Sequence, residues 1–226
     1  MFASTRARFG GWGALLAGLL VAGEVAASGG HKVPDLRGDP ALRSPRAGVV
    51  LRLPLTVQIA AEDDAPAAAM RRLEAAVARA NDALRPFQIE VVVREVHLLP
   101  SGHGSITRRR DRRRIAHFAP VDGSIHVFMV QSVELGSLRR GDRRVRGLHW
   151  RYRGLLRKLR QREYILLGGD APATTLAHEI GHLLGLEHSD GADNLMCSCR
   201  RGPRQVFTAS QGAVIRAGAR RFLGQR

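Results

Sequence analysis

Residues 178–196 read HEIGHLLGLEHSDGADNLM. Three of the chain's nine histidines, His178, His182 and His188, fall here within eleven positions, together with Glu179. His178 and His182 are four residues apart, so on a helix they project from one face and can share a metal ion. Glu179 shares their turn but points elsewhere, which suits it to hydrogen-bond a water at that metal. Gly185 lets the backbone leave the helix through a left-handed conformation. That turn can bring His188 back as a third ligand. Three protein ligands leave one tetrahedral position open, as in a catalytic zinc site and not a closed structural one. The plainer alternative, a core helix with surface histidines, explains neither Gly185 nor Met196.

The same residues resemble a known family. HEIGHLLGLEH fits the metzincin pattern H-E-x-x-H-x-x-G-x-x-H, and Asn194-Leu195-Met196 is similar to the methionine turn that follows it. Ser189 and the spacing to Met196 look most like the matrixin branch, the matrix metalloproteinases and their bacterial relatives. The resemblance implies an α+β, metzincin-like zincin fold. That fold has a mixed, twisted five-stranded sheet with an antiparallel edge strand, an active-site helix and a C-terminal helix. It implies one catalytic Zn2+ on His178, His182 and His188, Glu179 as general base, and Met196 packed beneath the site. Zinc-dependent cleavage of protein or peptide substrates is the expected activity. By the same resemblance VRGLHWRY (145–152) borders the cleft and pairs with substrate, with His149 and Trp150 lining it. A charged edge strand with one anchoring Trp is the alternative for those two side chains.

The pattern departs from the family in three places. No cysteine precedes residue 197, so the prodomain cysteine of matrix metalloproteinases has no counterpart. His103, His117 and His126 do not match the spacing of a second zinc site, and calcium sites are not legible. Beyond Met196, where the family has Pro-x-Tyr, stand Ser198, Cys199 and Arg200; Arg200 or Arg201 could turn the neighbouring pocket toward acidic or polar residues. Cys197 and Cys199 are the only cysteines. They either pack beside the turn or bring a thiolate to the metal; a bridge between them would close a tight ring.

Outward from the motif, the pattern alternates strands and helices. Strand composition marks 49–61, with Pro54 suggesting an edge or a bulge. Met70, Leu73, Val77, Ala80 and Leu84 mark one helix face, ended by Pro86. Residues 87–99 read as a strand, 100–123 as a polar loop, 124–135 as a central strand and 143–153 as an edge strand. A short buried strand follows at 163–169, then the motif helix from about Pro172 to Gly185. Thr208 and Gln211 match a capping box ahead of a last helix. A mixed sheet with helices packed on it is the natural architecture.

The chain has 226 residues, 44% of them hydrophobic, enough for one domain with a core. Residues 1–27 have a basic start, the apolar run WGALLAGLLVAG and small residues before Ser28, as a signal peptide does. Export to the periplasm or the exterior is therefore expected, an uncleaved anchor being the alternative. Residues 28–48 read as a flexible linker and 49–226 as the catalytic domain. The net charge of +16 is almost all arginine, Lys32 and Lys158 being the only lysines. Arginines cluster at 108–114, 139–146 and 157–162. They form either a solvated surface or a patch for an anionic polymer or surface. No specific nucleic-acid motif is interleaved with them. Two further readings remain: a zinc-containing protein that binds a peptide without cleaving it, and a basic surface-binding protein.

Overall fold

The computed structural model describes residues 49–60, 66–137, 141–152, 159–198 and 205–224. The segments read as signal peptide and linker, together with Cys199, Arg200 and Arg201, lie outside the described residues.

Eight strands and four α-helices follow one another in the described residues. They are β1 (Leu51–Ala60), α1 (Pro66–Leu84), β2 (Ile89–Leu99), β3 (Ser105–Ile106), α2 (Arg109–Ile115), β4 (Ile125–Met129), β5 (Ser132–Ser137), β6 (Gly141–Val145), β7 (Gly147–Arg151), β8 (Glu163–Leu167), α3 (Thr174–Leu183) and α4 (Ala209–Gly224). The main sheet has five strands in the order β2-β1-β4-β8-β7, and a second has the order β3-β5-β6. Neighbours in the main sheet are parallel except β7, which runs antiparallel to β8. The mixed α+β sheet with an antiparallel edge strand is thus the architecture observed.

Burial on both faces explains the near-continuous apolar character of the central strands. Ile125, Val127 and Met129 of β4, with Ile165 and Leu167 of β8, face the core shared with α1, α3 and α4. Phe128, Tyr164 and Leu166 face a second core that includes Ile115 of α2. The helix face read from the sequence is the buried one, Leu73, Ala80 and Leu84 being at most 2% exposed. Pro54 lies where β1 is paired with β2 alone, since β4 joins only from Leu55. The register with β2 shifts one residue on, between Leu55 and Thr56, so Pro54 stands at an open stretch of β1 beside a bulge.

Three segments differ from the sequence reading. The strand expected over 124–135 is two, β4 and β5. The backbone changes sheets after Val130, whose N–H bonds Leu167 O while the N–H of Gln131 bonds Gly104 O. The edge strand expected over 143–153 is likewise divided into β6 and β7 around Arg146, whose carbonyl accepts from the N–H of Gly168. The loop expected over 100–123 contains β3 and α2. Asp111 secures the start of α2 by accepting from the N–H of Thr107 and Arg108.

Several arginines tie segments of the fold together. Arg79 donates to Gln205 O, Arg162 to Ala116 O, and Arg216 to both Phe87 O and Val49 O. A forked guanidinium can bridge two carbonyls in fixed geometry where an ammonium cannot. No helix among the described residues is long and apolar enough to cross a membrane.

Candidate metal centre

Helix α3 carries His178, Glu179 and His182, and its C-terminus sets the position of His188. Gly185, at φ +107°, follows the C-cap Leu184. The N–H of Leu186 bonds Gly181 O at 2.9 Å and that of Gly185 bonds His182 O at 3.1 Å. This pair of bonds is the Schellman closure of a helix, and only glycine adopts that φ without strain. The turn also aims a carbonyl inward. Leu186 O accepts from Nδ1 of His182 at 2.8 Å, and Leu195 O accepts from Nδ1 of His178 at 2.7 Å.

A carbonyl oxygen only accepts, so Nδ1 carries the proton in both rings and each Nε2 keeps its lone pair. The Nε2 atoms of His182 and His188 are 3.1 Å apart. Ligand nitrogens of the three histidines all lie within 4.8 Å of one another. Tetrahedral zinc, with nitrogens at about 2.0–2.1 Å, needs them about 3.3 Å from each other. The donor set therefore suits a zinc ion by chemistry, tautomer and spacing. Burial lowers the pKa of His182, helped by nearby His188 and His149, and so favours the neutral ring that a metal requires.

Glu179 is buried, with its carboxylate beneath the edge strand. Its Oε1 lies 2.7 Å from where a Cβ on Gly147 would stand, and that Cβ would also meet Thr175 Cγ2. Gly147 is thus the position that lets the carboxylate lie against the β7 backbone, a role that nothing in the local sequence assigns to it. Gly181 is a second such position: a Cβ there would stand 2.5 Å from Met196 Sδ. Met196, fully buried, packs directly on the backbone of the helix between Glu179 and His182.

The methionine turn is tied from behind. Asn194 Oδ1 accepts from the Met196 N–H at 2.8 Å. Leu195 N bonds Val206 O, and Ser189 N bonds Met196 O. Cys197 is disulfide-bonded, so the thiolate inhibitor considered from the sequence does not exist at that residue.

His149 and Trp150 do not share a surface. Consecutive strand residues point to opposite faces. Nε2 of His149 is 2.6 Å from Oε1 of Glu163, while Trp150 packs in the second core. His126 is buried between Gln58 and Asp122, and His103 meets Phe118 edge to face. Among the described residues, one group of three or more potential metal ligands is present, His178, His182 and His188.

Residues 168–211 match the family model described as Matrixin. No curated protein matches the chain. Among solved structures, the chain is similar to metalloproteinase-II from Bacteroides fragilis, with 14% identity, 77% of this chain and 55% of that one covered, and a TM-score of 0.49. It is similar to archaemetzincin from Methanopyrus kandleri, at 18% identity, 78% and 98% coverage and a TM-score of 0.46. A protein of a chaperone–substrate complex gives 12% identity, 76% and 34% coverage and a TM-score of 0.49. The present chain spans little more than half the length of the first of these and a third of the last.

Proposed function

We propose that this protein is an exported zinc endopeptidase that hydrolyses peptide bonds in proteins or peptides. One observation carries the reading: the ligand nitrogens of three imidazoles converge, two of them held in the metal-binding tautomer by backbone carbonyls, and a buried Glu179 follows the first of them on the same helix. The match of residues 168–211 to the Matrixin model supports it.

His178, His182 and His188 would hold the zinc. When bound, zinc supplies an activated water and polarises the scissile carbonyl. Glu179, beneath β7, takes a proton from the attacking water and passes it to the departing amine. Its burial keeps bulk water from competing for that proton. The β7 edge opposite β8 has no partner strand among the described residues, and an extended substrate would pair with it. The apolar run within residues 1–27 supports export. Arginines on the surface would hold the enzyme at an anionic polymer or membrane face.

Cleavage of casein by the parent and by Glu179→Ala, with zinc content determined for both, tests the mechanism. Activity in the parent and a zinc-loaded, inactive variant are expected. Zinc in both with cleavage in neither, on casein and on a diverse peptide library, would favour the peptide-binding reading.

A further inference from the structure

The first arginine run contains a residue that is no surface charge. Arg112 of α2 is 6% exposed, and its guanidinium carbon lies 4.8 Å from the centre of the Trp150 ring. Its Nη1 is buried without a hydrogen-bond partner, and so is Nε1 of Trp150. Two N–H donors on side chains stacked against each other are thus both left without an acceptor.

No acid answers this charge among the described residues. Asp111, the neighbour in sequence, is turned to the start of α2. Glu163 pairs with Arg151 across β7 and β8 and bonds His149, on the sheet face opposite Trp150. The guanidinium lies against the Trp150 ring, in an aromatic neighbourhood. Tyr164 donates its hydroxyl to Arg112 O at 3.0 Å, and Tyr152 packs 6.1 Å from Trp150, centre to centre. The Tyr152 hydroxyl, within reach of both the Tyr164 hydroxyl and the indole, is among the described residues the one protein acceptor beside Trp150 Nε1, and it leaves Arg112 Nη1 unmet. The positive charges of Arg112 and Arg113 are both felt at that hydroxyl.

A buried guanidinium cannot shed its proton, and leaving it without a counter-charge is strongly unfavourable. Buried donors without acceptors add to that cost. We infer that the cluster of Arg112, Trp150 and Tyr152 binds a small monovalent anion of halide size. The anion accepts hydrogen bonds from Arg112 Nη1 and Trp150 Nε1 and balances the guanidinium. These side chains belong to the second core, on the sheet face opposite α3, and are separate from the histidine cluster. Occupancy would fasten α2 to β7, the strand against which Glu179 lies.

Bromide tests this through the fluorescence of Trp150. The protein is the full chain carrying Trp12→Phe, which leaves one indole, titrated at constant ionic strength against sodium gluconate. Saturable quenching, with a rise in unfolding temperature over the same bromide range, is expected. Arg113→Met, an exposed neighbour, keeps the saturable phase, and Arg112→Met loses it. Quenching that rises linearly without saturation, and no thermal shift, would show adventitious encounter only and overturn the site. Should Arg112→Met fail to fold, the parent's saturation and an anomalous bromide peak beside Arg112 in crystals decide the matter. A saturable phase that survives intact in a folded Arg112→Met also overturns it.

Discussion

Asn194 and Gln211 exchange side-chain hydrogen bonds in both directions. Nδ2 of Asn194 donates to Oε1 of Gln211 at 3.0 Å, and Nε2 of Gln211 donates back to Oδ1 of Asn194 at 3.1 Å. The same Gln211 Oε1 accepts the N–H of Thr208, completing the capping box that starts α4. The same Asn194 Oδ1 accepts the N–H of Met196. One amide pair therefore joins the start of the last helix to the turn beneath the histidines.

Asn194→Ala should weaken zinc binding without removing any ligand. Leu195 O, which orients His178, belongs to the turn that Asn194 closes. Loss of such orienting partners typically costs about 10–100-fold in metal affinity. Competition with a zinc chelator measures it, and parent-like affinity in a folded Asn194→Ala would refute the link.

Gly181→Ala should destabilise the fold by about 1–3 kcal/mol, because the added methyl meets Met196 Sδ. Met196→Ala alone should cost about 2–5 kcal/mol through the cavity left behind. Combined, the two should cost less than their sum, since each relieves the other. Chemical denaturation of the four proteins closes this cycle, and strict additivity would show that the two groups do not touch.

Gly147→Ala should depress kcat with zinc stoichiometry unchanged. The methyl would displace the Glu179 carboxylate and press on Thr175. General-base catalysis contributes about 10²–10⁴-fold, so a loss of about a hundredfold is expected. A variant with full zinc and parental kcat would mean that Glu179 tolerates the shift.

Stability should fall on acidification below about pH 6.5, the ordinary histidine value. Burial lowers the pKa of His126, opposed by Asp122 beside it. The folded state thus prefers neutral His126, and the unfolded protein takes up a proton first as pH drops. The contribution is fully present above the unfolded pKa and is lost as pH falls through the lowered folded one. Zinc-free parent and His126→Gln, unfolded in urea at about pH 8 and about pH 5.5, on either side of that value, should differ in this loss, the variant losing less. Equal losses would assign the effect to other groups.

The histidine site is largely legible in the sequence because helical spacing and a glycine exit fix it locally. Asn194 and Gln211 lie seventeen residues apart, and only the capping half of Gln211's role shows in a local pattern. Gly147 and Gly181 are illegible for a different reason: what a missing Cβ makes room for is decided by a partner elsewhere in the fold. The break at Val130 is hidden because apolar character continues through a strand that changes sheets, and the break at Arg146 because the arginine-rich pattern runs across it without a turn signal. Helix α2 escapes a sequence reading because seven residues, mostly arginine, are too short for an apolar period to register.

Leu186 O and Leu195 O, the two oxygens that orient the imidazoles, both belong to residues that follow α3. Leu195 is further held by Val206, just ahead of α4. Parallel pairing in the main sheet joins distant segments and is slow, and the turn after α3 packs through Met196 on a helix that itself rests on that sheet. Refolding should accordingly bring zinc uptake in as a late kinetic phase, after the core has closed. A nascent polypeptide still lacking Val206 and α4 would carry every ligand and still capture the ion poorly.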